Sequence, residues 1–231
     1  IDWRTPAVTL ERIIQYEAVH EIQGWRDLRR RLESDRRCYG FFHRALPDEP
    51  IIFIEAALTR DMPAQVDSLL DPSSPVEAAE RATHAVFYSI TNCQEGLRGV
   101  SFGNFLIKQV VEDLGREFQK IRTFATLSPV PGFLNWLSNT TERRPGQEHP
   151  AMLGAVAECL ATDPTAARGL LTEQSRSQLM ALCAHYLVHE KRARQPLDAV
   201  ARFHLANGAR PERLNWKGDV SETGLRQSLG I

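Results

Sequence analysis

From His84 to Phe118 the chain runs through a strand, a glycine-bearing loop and an amphipathic helix, and no other stretch restricts its fold as much. His84-Ala85-Val86-Phe87-Tyr88-Ser89-Ile90 is short, apolar and rich in β-formers, as a strand should be. Gln94-Glu95-Gly96-Leu97-Arg98-Gly99-Val100-Ser101-Phe102-Gly103 follows, and then Leu106, Val110, Leu114 and Phe118 recur four apart, which gives one apolar helical stripe. Glycines at such a junction let backbone amides come close to a ligand. The next helix would offer its unpaired N–H groups and positive dipole end to a phosphate, so a pyrophosphate would sit well there. Arg98 and Lys108 could add charge. The spacing is neither Gly-x-Gly-x-x-Gly nor a phosphate loop ending in Gly-Lys-Ser/Thr, and glycines of turn and packing type would look the same.

Around this unit, residues 6–34 mix charge with apolar positions (Leu10, Ile13, Ile14, Tyr16 and Val19, then Trp25, Leu28 and Leu32), which predicts two short covering helices. Cys38 to His43 and Ile51 to Leu58 predict a hairpin turning at Pro47-Asp48-Glu49-Pro50. Residues 63–80, with prolines at 63, 72 and 75, predict a loop with at most a short helix. A fourth strand is expected at 122–127, stopped by Pro129 and Pro131. Residues 139–150 read as polar and mobile, and 151–195 as helix-forming. Arg202-Phe203-His204-Leu205 and Arg213-Leu214-Asn215-Trp216, with Asn207-Gly208 between them, suggest a last hairpin. The chain begins with Ile rather than Met and stops at Ile231 after what reads as a strand-like, turn-rich stretch, so a fragment is expected.

With 28 basic and 29 acidic side chains the net charge is -1, which leaves no broad positive field to hold nucleic acid or an anionic membrane. Any anion must be bound locally. Cys38, Cys93, Cys159 and Cys183 are scattered, unlike a disulfide scaffold or a zinc ribbon, and point to reducing, cytoplasmic surroundings. No apolar run approaches the roughly 20 residues needed to span a bilayer. A soluble protein is expected.

Two further positions stand out, and a histidine pair less so. Ser128 lies where a strand meets a stiff Pro-Val-Pro-Gly segment, so its hydroxyl could be held towards a cleft, or it could simply cap a turn. No Gly-x-Ser-x-Gly elbow surrounds it, so an acyl-enzyme is not indicated. His204, between Phe203 and Leu205, would point away from them in a strand, as a titrating group or as a hydrogen-bonded structural histidine. His185 and His189 sit four apart beside Glu190, a spacing a metal can use, but no third ligand is signposted and no metal is expected.

The pattern Gln94-x-x-x-x-Gly99-x-x-x-Gly103 resembles the CoA-binding loop of the GNAT acyltransferases. Arg37-Cys38-Tyr39, Pro47-Asp48-Glu49-Pro50, Phe87-Tyr88-Ser89-Ile90, Phe105-Leu106-Ile107-Lys108, Leu127-Ser128-Pro129-Val130-Pro131-Gly132-Phe133, Phe203-His204-Leu205 and Asn207-Gly208-Ala209 together resemble, in order, the malonyl-CoA decarboxylase family. The resemblance covers residues 1–138 and about 175–231, and leaves 139–174 as a variable or helical insertion.

That resemblance implies one GNAT-like catalytic domain over 1–231, of α+β class, with a mixed, mostly antiparallel sheet flanked by helices. The family's N-terminal helical domain would be absent, together with a tyrosine-bearing strand after Ile231. It also implies malonyl-CoA as substrate, acetyl-CoA as product and homo-oligomers in the full-length protein, while cysteine usage and charge carry the expectation of a cytoplasmic setting without nucleic-acid or membrane partners. The CoA segment falls on Arg98, Gly99, Val100, Ser101, Phe102, Gly103 and Asn104, and the catalytic pair on Ser128 and His204, both also against the substrate.

The chemistry implied is self-sufficient. Electrons left by departing carbon dioxide pass into the thioester carbonyl as an enolate, so neither an organic cofactor nor a metal is needed as a sink. A CoA-dependent acyltransferase would share the loop but require an amine acceptor, and a non-catalytic malonyl-CoA-binding module would have no need of both Ser128 and His204.

Overall fold

A computed structural model describes residues 1–97, 102–143, 169 and 172–231. The chain divides into two compact units, Ile1–Ser128 and Pro129–Ile231.

The first unit is built on a four-stranded sheet of order β1-β2-β3-β4, with β1 at Arg36–His43, β2 at Leu46–Thr59, β3 at His84–Asn92 and β4 at Thr123–Thr126. The first three strands are antiparallel neighbours, and β4 pairs parallel to β3, His84 with Thr123 through Phe87 with Thr126. Parallel neighbours need a crossover. Here it is α4, Phe102–Glu117, whose Leu106, Val110 and Leu114 pack on Ile52, Ile54, Ala56, Leu58, Ala85 and Phe87. The period-2 alternation of β2 sends Phe53 to the other face, where it meets Leu10 and Ile13 of α1 (Ala7–Tyr16), Leu28 of α2 (Trp25–Arg31), Cys38 and Cys93. A short α3, Asp67–Leu70, lies in the proline-rich connection, as expected. In this unit the α+β arrangement, mostly antiparallel and helix-flanked, is the one the family resemblance implies. The β1–β2 turn differs from expectation. Pro47 to Pro50 belong to β2, and register shifts at Phe41, Phe42 and His43 bend the hairpin end and accommodate its prolines.

A polar seam runs under α1 and α2. Arg31, wholly buried, donates to Glu55 Oε2 at 2.9 Å, to Asp27 Oδ1 at 3.0 Å and to the His20 carbonyl at 2.8 Å. Beside it Glu17 accepts from the backbone N–H groups of Val19 and His20 and from the hydroxyls of Ser89 and Thr91. Glu55 Oε1 has no hydrogen-bond partner among the described residues, and burial, with Glu17 near by, pushes this carboxyl up to about 8. Opposite Glu55 the ladder slips: Ser89 pairs with Glu55 and Phe87 with Ala56, leaving Tyr88 as a bulge residue in a separate apolar cluster with Val66, Leu69 and Val86.

The second unit is helical. Its α5 (Phe133–Arg143), α6 (Glu173–His189), α7 (Ala199–Ala206) and α8 (Glu222–Ser228) accompany a two-stranded hairpin, β5 at Lys191–Arg192 and β6 at Gln195–Pro196. Val130, Phe133, Leu137, Leu179, Cys183, Tyr186 and Leu229 form its core. Two expectations are corrected here. Residues 139–143, read as a polar mobile stretch, complete α5, and the end of the chain holds α8 rather than strand.

Candidate functional site

Because β3 and β4 are parallel and joined through α4, the first turn of α4 and the residue after β4 lie at the same end of the sheet. The Leu127 N–H donates to the Phe87 carbonyl at 2.8 Å, which extends the pairing to the residue before Ser128. Ser128, half-buried, follows directly, so its backbone is held to β3. β3 continues from Tyr88 to Asn92 past the end of its pairing with β4. Ligands of sheets with parallel strands gather at this carboxyl end, beside a crossover helix whose N-terminal amides are unpaired.

Of the residues expected to hold CoA, Arg98, Gly99, Val100 and Ser101 lie outside the described residues. Phe102, Gly103 and Asn104 form the first turn of α4. Gln94, which opens the pattern, donates to the Pro50 carbonyl at 3.1 Å and ties the loop's start to β2. A Cβ on Gly96 would meet no protein atom within 4 Å.

His204 is on α7, not in a strand. Asn207-Gly208 is the stop signal of that helix. The N–H groups of Asn207 and Ala209 both donate to the His204 carbonyl at 3.1 Å, and Gly208 takes the left-handed conformation that a helix end favours (φ 85°). A hairpin and a helix C-terminus both want a residue with positive φ, so the dipeptide alone does not separate them. The ring is half-buried, edge-on to Phe203 with centroids 5.1 Å apart, and burial lowers its pKa.

Sequence reasoning passed over Asp198, Tyr186 and Gly132. Asp198 caps α7, and its other carboxylate oxygen accepts from the Gly132 N–H and the Tyr186 hydroxyl. The signal was present as Asp before an apolar helical run, the usual helix opening. The three residues form one wall of a cavity of about 710 Å³ in the second unit, with Trp136 and Glu190 also lining it. The His185 and His189 rings are tilted against each other with centroids 4.9 Å apart, and His185 Nε2 is 3.6 Å from Glu190 Oε1. No group of three or more His, Cys, Asp or Glu able to hold a metal occurs among the described residues.

The family described as the malonyl-CoA decarboxylase C-terminal domain matches residues 1–231, including the 139–174 stretch in which resemblance was weak. The chain belongs to the malonyl-CoA decarboxylase family. The mitochondrial malonyl-CoA decarboxylase of Anser anser anser is 39% identical over the whole chain, and that of Mus musculus 37%. The chain spans about half the length of these curated relatives, 50% and 51%. Crystal structures of malonyl-CoA decarboxylases from Rhodopseudomonas palustris (51% identical, TM-score 0.85) and Agrobacterium vitis (50%, TM-score 0.88) match all of it, and it covers 56% and 57% of those chains.

Proposed function

We propose that residues 1–231 serve as the catalytic domain of a malonyl-CoA decarboxylase, converting malonyl-CoA to acetyl-CoA and carbon dioxide. The observation that carries this reading is full-chain membership of that family, joined to a topology that puts Ser128 and the start of α4 at one end of the sheet. Segment 98–104 holds CoA, its amides and the helix dipole facing the pyrophosphate. Cleavage of the bond to the carboxylate sends its electrons into the thioester carbonyl, and a proton then closes the new methyl group. The thioester is its own electron sink, so no organic cofactor or metal is needed.

The protein supplies orientation and donors. The Ser128 hydroxyl donates to the malonyl carboxylate or the thioester oxygen. His204, whose pKa is lowered by burial, delivers the closing proton to the enolate carbon, replacing it from solvent, or stabilises the enolate through its ring N–H. Homo-oligomers of the full-length protein and the lack of nucleic-acid and membrane partners belong to the same proposal. Among the described residues no helix is long and apolar enough to cross a membrane. The cytoplasmic setting is also proposed. The curated relatives are named mitochondrial, and fractionation of cells producing the intact protein decides between the compartments.

The test of function is incubation with malonyl-CoA alone. Acetyl-CoA and carbon dioxide in equal amounts, with no amine acceptor present, are expected, whereas a strict requirement for an acceptor would make the protein an acyltransferase. Ser128→Ala in that assay should lose about 10²-fold in turnover, typical of one oriented donor, with a thermal midpoint near the parent's. Lost stability with unaltered turnover would return Ser128 to the role of a turn cap.

A further inference from the structure

We propose that Asp198 is a positioning residue, a buried carboxylate that fastens the helix carrying His204 to the segment continuing from Ser128 and so sets where the His204 ring points. The inference rests on the reading of His204 as catalytic.

The helix itself needs such a fastening. α7 has eight residues and none of them is buried. Helices this short are marginal alone and take their stability and direction from packing, which α7 cannot supply from a core stripe of its own. Its start is firmly fixed. Asp198 is 2% exposed, and its Oδ1 accepts the N–H groups of Val200 at 3.0 Å and Ala201 at 2.9 Å, the orphan donors of the first turn. His204 follows within two turns.

The second oxygen leaves the helix altogether. Asp198 Oδ2 accepts from the Gly132 N–H and from the Tyr186 hydroxyl of α6, each at 3.3 Å. Burial, and then the Asp198 carboxylate beside it, push the Tyr186 phenol up, so it keeps its proton and remains a donor. Gly132 must be glycine for this contact, because a Cβ there would run into the Tyr186 hydroxyl. The segment held in this way is stiff. Pro129 and Pro131 fix two φ angles between Ser128 and Gly132, and Val130 and Phe133 are buried in the second unit's core. One carboxylate therefore joins a rigid, core-anchored segment to the one described helix of that unit, α7, that lacks buried residues of its own.

A plain helix cap would use only Oδ1, and this difference makes the proposal testable. Asp198→Ser keeps a good N-cap but has one oxygen, so it loses the bridge to Gly132 and Tyr186. In the intact protein we expect its thermal midpoint to stay near the parent's and its KM for malonyl-CoA to stay within about twofold, while kcat falls by up to about 10²-fold, the scale of a misplaced catalytic group. Parent-like kcat in Asp198→Ser, or a fall only in step with the folded fraction, overturns the proposal. Should that variant fail to fold, Tyr186→Phe removes one of the two donors to Oδ2. A several-fold loss of kcat at unchanged KM supports the role, and a parent kcat overturns it. His204→Asn is measured alongside. If it turns over at the parent rate, the catalytic reading and the positioning role fall together; if it collapses while Asp198→Ser does not, only the positioning role falls.

Discussion

Replacing His204 by Asn should leave malonyl-CoA binding in place and lower acetyl-CoA formation by about 10²–10⁴-fold, the range of a positioned acid, base or donor. Asn is polar and of similar size but carries no ring N–H at the same reach and no titrating nitrogen. Packing cannot account for a loss of this size. The half-buried ring has an edge-on contact with Phe203, and such aromatic pairs are worth about 0.5–1.5 kcal/mol, roughly tenfold at most if all of it were felt in the rate. CoA is held in the proposal by segment 98–104, which the substitution does not touch, so affinity and turnover should separate. Calorimetric binding and product formation measured on one folded sample provide the check. Acetyl-CoA released at the parent rate would make His204 a structural histidine.

Arg31→Met is expected to be the most damaging single change to stability, about 3–5 kcal/mol at about pH 9.5, the usual cost of leaving a buried charge without its partner. Arg31 and Glu55 are both wholly inaccessible and 2.9 Å apart, and Met fills much of the arginine stem's volume, so the loss is of charge pairing rather than of packing. The sign of its pH dependence follows from Glu55. Its folded pKa is raised from 4.5 to about 8, so a protonated Glu55 favours the fold below the unfolded value, and that contribution is lost as pH rises through the folded one. Without Arg31 the carboxyl is pushed higher still. The deficit of Arg31→Met should therefore be smaller at about pH 7 than at about pH 9.5, where Glu55 of the parent is ionised and paired, and adding Glu55→Gln should recover part of it. Urea unfolding at both pH values measures this, and a variant within about 1 kcal/mol of the parent at the higher pH would refute the assigned weight of the pair.

The first unit was legible in the sequence because its signals are periodic. The α4 stripe of Leu106, Val110 and Leu114, the two covering helices and the strand at 84–90 are each where hydrophobic spacing puts them. The second unit was much less so. Asn207-Gly208 suggested a hairpin and ends a helix, while the real hairpin turns through Ala193 and Arg194, with φ of 50° and 70°, in residues that carry no turn signal. Tertiary context sets the backbone there against local preference. The seam of Arg31, Glu55 and Glu17 was invisible for a related reason. Arg31 in an amphipathic helix, Glu17 at the end of another and Glu55 in a strand each read as a solvated position, and only the fold turns them inward. Local context marked Ser128 and His204 and resemblance gave them their catalytic reading, whereas Asp198 needed coordinates, since its second oxygen reaches a residue 66 positions away.

The three described cysteines bring a kinetic consequence. Cys38 and Cys93 sit in the core of the first unit and Cys183 in that of the second, all buried, and burial pushes the thiols of Cys93 and Cys183 up to about 12 and that of Cys38 higher. The thiolate is the attacking form, and it is almost unpopulated while the cores stay closed. Each site can react with an alkylating or disulfide reagent only during an opening of its own surroundings, so the labelling rate at Cys183 clocks fluctuations of the helical unit and the rates at Cys38 and Cys93 clock those of the sheet.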